Sequence, residues 1–358
     1  MLADWFKQKN PSLVGVDIGT QEVKAVLLTE APEGYRLEGV AKVPLAKGAV
    51  VEREIRDPEA VAAAMRSIKE QLPKGAKFGA ASVSGSTVMT KVIHMDSGLS
   101  EEELEAQIEI EADSLIPYPL DDVNIDFEPI HTNEETKKVD ILLAACRSDN
   151  VDARVEALEA AGLQSRVIDV EGYALGRSYK LLAEQLPNAG VGKVVAVVDL
   201  GSSMTTFALV ADGETVFIRE QAFGGEQFTQ AIQSYYGMSF DEAERAKIAG
   251  ELPRNYVFEV LTPFQTQFLQ QVRRTFQIFS NSTPYEQVDC LLLCGGSSRI
   301  EGLASMLSGE LGIPSYIADP FAGRLIASDT LRQQVGDDIT SYMVACGLAL
   351  RSFEPWHI

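Results

Sequence analysis

The sequence predicts an α/β protein built on a duplicated β-β-β-α-β unit, and three observations carry that expectation. Two stretches share one grammar. The first is Val14-Gly15-Val16-Asp17-Ile18-Gly19-Thr20-Gln21-Glu22-Val23-Lys24-Ala25-Val26-Leu27, and the second is Ala196-Val197-Val198-Asp199-Leu200-Gly201-Ser202-Ser203-Met204-Thr205-Thr206-Phe207-Ala208-Leu209. Each is an apolar strand, then Asp-apolar-Gly-hydroxyl, then a second strand. The same succession of elements follows both. The length, 358 residues, exceeds one ordinary core and suggests about two domains.

After the first hairpin, Tyr35 to Val43 alternates as a third strand. A helix is expected from Asp57 to Leu72, with Pro58 in its first turn, and a short apolar strand from Phe78 to Val83. A separate block follows over Val88–Arg166. It comprises a strand at Val88–Met95 and a helix opened by a Ser100/Glu103 capping box and stopped by Pro117 and Pro119. Strands at Val123–Ile130 and Val139–Cys146 and a helix at Asp149–Ala161 complete it. The strand Arg166–Val170 leads to the second unit. Its hairpin occupies about 194–210, its third strand about 215–222, and a helix starts near Gly225. A helical insertion at about 226–285 holds helices at Gln227–Tyr236, Asp241–Ala249 and Val257–Phe279, and Asp289–Cys294 reads as a strand. The spacing from Asp17 to Asp199 is far longer than a solenoid repeat of about 20–50 residues, so it marks duplicated domains.

The hairpin turns suggest chemistry. Gly lets backbone N–H groups approach an anion closely. An Asp at the mouth repels phosphate, so it implies an intervening cation, most simply Mg²⁺ with its waters. Two such turns can grip one polyphosphate from opposite sides. A third signal is Leu293-Cys294-Gly295-Gly296-Ser297-Ser298-Arg299, where a strand ends in a Gly pair and a helix opens. Bare glycine backbone suits a planar nucleoside.

The formal charge of −21 argues against nucleic acid as a partner. No apolar stretch reaches membrane-spanning length. The N-terminus lacks a signal-peptide pattern; Leu2, Trp5 and Phe6 read as part of a disordered leader, with weak membrane contact as the alternative. Cys146, Cys290, Cys294 and Cys346 lie in apolar runs and read as buried reduced thiols of a cytoplasmic protein. Gly-x-x-x-x-Gly-Lys-Ser/Thr, strand-linked Gly-x-Gly-x-x-Gly and His-Glu-x-x-His patterns are all missing from the sequence.

With phosphate 1, phosphate 2 and adenosine signals in this order, the chain resembles the actin, sugar kinase and heat-shock ATPase superfamily over nearly its whole length. The position of the inserted block is similar to that in FtsA. Gln107 to Leu120, Leu142–Arg147, Gly224-Gly225-Glu226 and Ala345–Arg351 resemble the PilM family of type IV pilus assembly proteins. An FtsA-type C-terminal membrane helix is not seen in the sequence, which ends Glu354-Pro355-Trp356-His357-Ile358.

The resemblance implies an actin-like (ribonuclease H-like) fold of duplicated β-β-β-α-β-α domains with a nucleotide cleft between them. It divides the chain into a first domain (1–85, 167–193 and 335–358), an inserted FtsA-like subdomain (86–166), a second domain (194–225 and 286–334) and a helical insertion (226–285). It implies ATP and Mg²⁺ as cofactors. Gly19, Thr20, Gln21 and Lys24 would surround the phosphates, with Gly201, Ser202 and Ser203 on their other side. Asp17 and Asp199 would hold Mg²⁺ through water. Gly295, Gly296 and Ser297 would border the adenosine, with Glu226, Glu244 and Lys247 near its ribose and base. Glu171 or Asp169 would orient water at the γ-phosphate, or else serve as a helix N-terminal carboxylate, and turnover would be slow or absent.

The family also implies a partner, the cytoplasmic N-terminal peptide of the inner-membrane protein PilN, held between the inserted subdomain and its host domain. Ile116, Pro117, Tyr118 and Leu120 are candidates to line that groove, or else to pack within their own subdomain. Other pilus platform proteins, the pilus motor ATPases and a second copy of the chain are further expected partners. The implied role is an ATP-binding adaptor, peripheral at the inner membrane. The alternatives are an FtsA-type filament former and a small-molecule kinase of the same superfamily.

Overall fold

The structure is a computed structural model that describes residues 11–354 except 33, 134–135, 323–324 and 326. Leu2, Trp5 and Phe6 lie outside the described residues. In chain order the first sheet begins with β1 (Leu13–Ile18), β2 (Glu22–Ala31) and β3 (Gly34–Pro44). A small hairpin, β4 (Val50–Val51) with β5 (Glu54–Ile55), precedes α1 (Pro58–Gln71) and β6 (Phe78–Val83). The inserted block holds β7 (Val88–Asp96), α2 (Glu101–Leu115), β8 (Val123–Asn133) and β9 (Lys138–Arg147); α3 (Ser148–Ala160) follows and packs beside α1 on the first sheet. Then come β10 (Gln164–Val170) and α4 (Glu171–Arg177).

The second half repeats the order with β11 (Val194–Leu200), β12 (Thr205–Ala211) and β13 (Glu214–Gln221). Helices α5 (Gly225–Tyr236), α6 (Phe240–Ala249) and α7 (Thr262–Ser282) follow, then β14 (Cys290–Cys294), α8 (Leu303–Leu311) and β15 (Ser315–Ile317). The described chain closes with α9 (Asp329–Val335) and α10 (Met343–Leu350).

Two five-stranded sheets result, ordered β10-β6-β1-β2-β3 and β13-β12-β11-β14-β15. They are the same pattern twice. In each, an antiparallel meander pairs its first strand in parallel with the strand after the helical segment. Both central strands are apolar on two faces because both faces are covered. On β11, Ala196 and Val198 pack with α5 and α7, whereas Val195 and Val197 face the layer shared with the first sheet.

That shared layer is α4 and α10. Helix α10 is buried at every position from Met343 to Leu350, as a helix apolar all round must be. Glycines set its approach. A Cβ on Gly347 would lie 1.7 Å from the Ala174 carbonyl oxygen of α4, and one on Gly15 of β1 would lie 2.1 Å from that of Ala345. The four cysteines are buried and free.

The inserted block is a three-stranded sheet, β7-β9-β8, covered by α2. Ser100 accepts from the Glu103 N–H while Glu103 accepts from Ser100, the capping box expected from sequence. Ile116 caps the other end of α2 through its N–H to Ala112 and is buried in this block's own core, with Leu120 packed against it.

Candidate functional site

Each Asp-x-Gly segment folds as a four-residue turn between antiparallel strands. Gly19 N–H donates to the Glu22 carbonyl at 3.0 Å, and Gly201 N–H donates to that of Met204 at 2.9 Å. The turns meet. Thr20 Oγ1 and Ser203 Oγ are 3.2 Å apart, and Gln21 Nε2 donates to Ser202 Oγ at 2.7 Å. Residues more than 180 positions apart in sequence thus meet at the lining of a cavity of about 680 Å³.

The adenosine-type signal joins the same place. Strand β14 ends at Gly295, whose φ of 86° is open to glycine; a Cβ there would lie 2.1 Å from Asp199 Oδ1. Ser297 Oγ donates to the Gly201 carbonyl at 3.0 Å, and the first two residues of α5 donate to the carbonyls of Gly201 and Ser202. Asp17, Gly19, Thr20, Gln21, Lys24, Asp199, Gly201, Ser202, Ser203, Glu244, Lys247, Gly295, Gly296 and Ser297 all line the cavity. Phe228, Leu252, Tyr256 and Ile300 add an apolar part to its lining. Glu226 is beside it, accepting from Ser202 Oγ at 3.1 Å. Lys247 donates to Glu244 at 2.6 Å and to Thr229 at 2.7 Å.

The electrostatics separate the two hairpins. Opposite Asp17 on β2 stands Lys24, and opposite Asp199 on β12 stands Thr206. Lys24 Nζ sits 3.0 Å from Asp17 Oδ2. Burial would lower the Lys24 pKa, but Asp17, Glu22 and Asp199 outweigh it and hold the ammonium charged. Asp199 has no such partner on its own sheet. Burial, reinforced by the Asp17 charge, pushes it up to about 6 against the pull of Lys24 and Arg53.

Glu171, the first residue of α4, also lines the cavity. Burial pushes its pKa up to about 7, with Arg53 opposing and Asp17, Glu220 and Asp199 adding to the rise. The Arg53 guanidinium is paired with Glu171 and donates to Thr206 at 3.2 Å; Thr206 in turn donates to Glu171 at 3.2 Å. Asp169, two residues earlier, goes elsewhere. Its carboxylate accepts from Arg177 at 2.7 Å and from the Val170 N–H, in a network with Glu354, and it does not line the cavity.

Three cationic lining residues escaped the sequence reading: Lys42, Arg53 and Arg299. Lys42 and Arg299 both pair with Asp338. Lys42 sits in the third strand and Arg299 ends the quoted Gly-Gly-Ser-Ser segment, but a single basic residue carries no motif of its own, so only the fold could collect the three.

Donor chemistry decides which metal arrangement suits the site. Among the described residues no cluster of three or more His, Cys, Asp or Glu side chains is arranged to hold a metal ion directly. One oxygen of Asp17 is already engaged by Lys24. Two carboxylates converging on one cavity fit a hydrated Mg²⁺, which keeps several waters and takes one or two protein carboxylates plus phosphate oxygens.

A second cavity, of about 410 Å³, opens where the inserted block meets the two sheets. Val88 and Thr90 of β7, Thr215–Glu220 of β13, and Val170 and Tyr173 line it. Both β7 and β13 are edge strands. Ile116, Pro117, Tyr118 and Leu120 do not line it; Tyr118 is 52% exposed, and Ile116 is committed to its own core.

A family model described as type IV pilus assembly protein PilM matches residues 15–353. The chain belongs to the PilM family. A solved PilM–PilN type IV pilus biogenesis complex is similar to this PilM-family chain at 25% identity, covering 97% of this chain and 100% of that one with a TM-score of 0.80. The ethanolamine utilization protein EutJ from Carboxydothermus hydrogenoformans shares the fold at 16% identity, covering 95% of this chain and 89% of its own with a TM-score of 0.56. The cell division protein FtsA of Bacillus subtilis is 24% identical over 359 residues, 87% of this chain and 79% of FtsA. The PilM-family fold is thus actin-like α/β, and the family's role is type IV pilus assembly. No helix among the described residues is long and apolar enough to cross a membrane.

Proposed function

We propose that this chain binds ATP with Mg²⁺ in the larger cavity and the N-terminal peptide of PilN in the smaller one, as a cytoplasmic adaptor of the pilus inner-membrane platform. The observation that carries the nucleotide reading is the meeting of the two Asp-x-Gly turns, Thr20 against Ser203 and Gln21 against Ser202, in the lining of a cavity that both Asp17 and Asp199 also line. The hydroxyls and turn N–H groups of both sheets face the phosphates, and Lys24, Lys42 and Arg53 supply positive charge. Asp17 and Asp199 hold Mg²⁺ through water, and the ion offsets charge between carboxylates and phosphate. The nucleoside lies toward Gly295, Gly296 and Ser297, with Glu226, Glu244 and Lys247 near the ribose and base. Glu171 orients the attacking water; its engagement by Arg53 and Thr206 favours slow turnover.

The domain division expected from sequence serves this reading, with the inserted subdomain at 86–166 as one wall of the peptide groove. A PilM relative was solved with PilN, and an extended peptide suits a groove between two edge strands. That groove is the β7/β13 cavity rather than the surface at 116–120. Membrane association follows through PilN. Isothermal titration with Mg·ATP and with the synthetic peptide tests both sites. Saturable binding of each supports the proposal; heat from neither refutes it. FtsA likeness keeps one rival, a nucleotide-dependent filament, which light scattering on adding Mg·ATP would detect.

A further inference from the structure

Arg53 lines the first cavity, and its partners lie next to residues that line the second. It sits on the turn of the β4–β5 hairpin, where Glu52 and Arg53 both adopt left-handed backbone, φ 50° and 68°. Such a conformation is unfavourable for residues with a Cβ and persists when the surroundings over-determine it. Here the buried Arg154 of α3 donates to the Arg53 carbonyl. The guanidinium then reaches Glu171 on the first half and Thr206 on the second.

Thr206 is register partner to Glu220 on β13, so the two side chains share one face of the second sheet. Glu220 in turn holds the connection into the inserted block, accepting from Ser84 Oγ at 2.7 Å and from the N–H groups of Gly85 and Ser86 at 2.8 and 3.1 Å. Gly85, Ser86 and Glu220 all line the second cavity, as does Val170, which directly precedes Glu171.

We propose that Arg53 is a positioning residue that reports phosphate occupancy of the first cavity to the hinge at residues 84–86. This rests on the nucleotide reading above. A guanidinium has five donors in one plane, and phosphoryl oxygens in the same cavity compete with Glu171 and Thr206 for them. When Arg53 turns to the phosphate, Glu171 and Thr206 lose their shared cation. Thr206 is one strand away from Glu220, which fixes the hinge, and Glu171 directly follows Val170, which lines the second cavity. The effect at the second cavity arises because the two positions of Arg53 favour different hinge states, which is what coupling between sites requires.

Hydrogen exchange followed by mass spectrometry tests this on the full chain, because Gly85 and Ser86 N–H groups are themselves the donors to Glu220. Mg·ATP should protect residues 19–21 and 201–203 and change exchange at 84–87 several-fold. Arg53→Met weakens binding, but at Mg·ATP raised until its turns are protected the change at 84–87 should still be lost; Arg53→Lys, which keeps the cation, recovers part of it. Thr206→Val, which leaves both Arg53 and Glu171 in place, should reduce the change. An undiminished change at 84–87 in Arg53→Met, or no change there in the wild type although the turns are protected, overturns the role of Arg53 alone. No protection of the turns in any form overturns the nucleotide reading with it.

Discussion

Asp199→Asn should stabilise the protein in the absence of ligand while weakening its grip on metal-bound nucleotide. The folded chain holds the Asp199 carboxyl at about 6, against an ordinary 3.8, through burial and the neighbouring Asp17 charge. An acid raised on folding keeps its proton more tightly in the native state, so stability falls as pH rises from 3.8 to about 6 and the full penalty persists above that. At 1.36 kcal/mol per pH unit the penalty at pH 7.5 is on the order of 3 kcal/mol. Asparagine removes it but leaves a partly buried amide whose own desolvation costs about 1–2 kcal/mol. The net expectation is about 1–2 kcal/mol of added stability, a rise in Tm of roughly 1–3 °C for a chain of this length. Urea and thermal melts of both proteins, free of Mg²⁺ and nucleotide, measure it. The wild-type penalty falls to about half at pH 5 and vanishes near pH 3.5, so the advantage of the variant shrinks accordingly. Glu171, held at about 7 partly by the Asp199 charge, titrates lower in the variant, which adds to the variant's advantage near neutral pH. A variant less stable than wild type at pH 7.5, or a difference independent of pH, would refute the reasoning.

Three further outcomes follow from the same structure. Gly347→Ala forces a methyl group against the Ala174 backbone and should destabilise by about 3 kcal/mol or more, seen as a lower urea midpoint with retained secondary structure at zero denaturant. Lys24→Met leaves Asp17 buried without its ion-pair partner and should cost about 3 kcal/mol at pH 7.5, with most of the loss recovered on acidification in the same melts. Ile218→Asp places a charge in the second cavity and should lower affinity for the PilN peptide at least tenfold with ATP affinity unchanged, whereas Tyr118→Ala should alter neither, both read by titration calorimetry.

Much of the frame could be read from local pattern because local physics sets it. Strand β6 and the Ser100 capping box need only apolar runs and one side chain of the right reach, and both formed where expected. The two turns were visible because Gly19 and Gly201 follow a carboxylate at the same offset. What escaped was set by distant chain. The β4–β5 turn uses Glu52 and Arg53 in left-handed backbone without a Gly or Asn to announce it, so the cation that bridges Glu171 and Thr206 had no signature. Asp169 and Glu171 are near-neighbours at a strand end, and only the positions of Arg177 and Arg53 divide their roles. Ile116 looked equally suited to a groove or a core, and the packing of α2 on β7-β9-β8 gave it to the core.

The claim beneath all of this is that Asp17 and Asp199 act together on one metal-bound triphosphate. A double-mutant cycle in ATP affinity, with Asp17→Asn, Asp199→Asn and the pair, each titrated with a fluorescent ATP analogue in Mg²⁺ and in EDTA, measures it most directly. Removing Mg²⁺ should weaken the wild type by about tenfold or more, each single change should abolish that dependence, and the double change should cost little beyond either single one. Wild-type affinity indifferent to EDTA, or two losses that simply add, would contradict a shared ion.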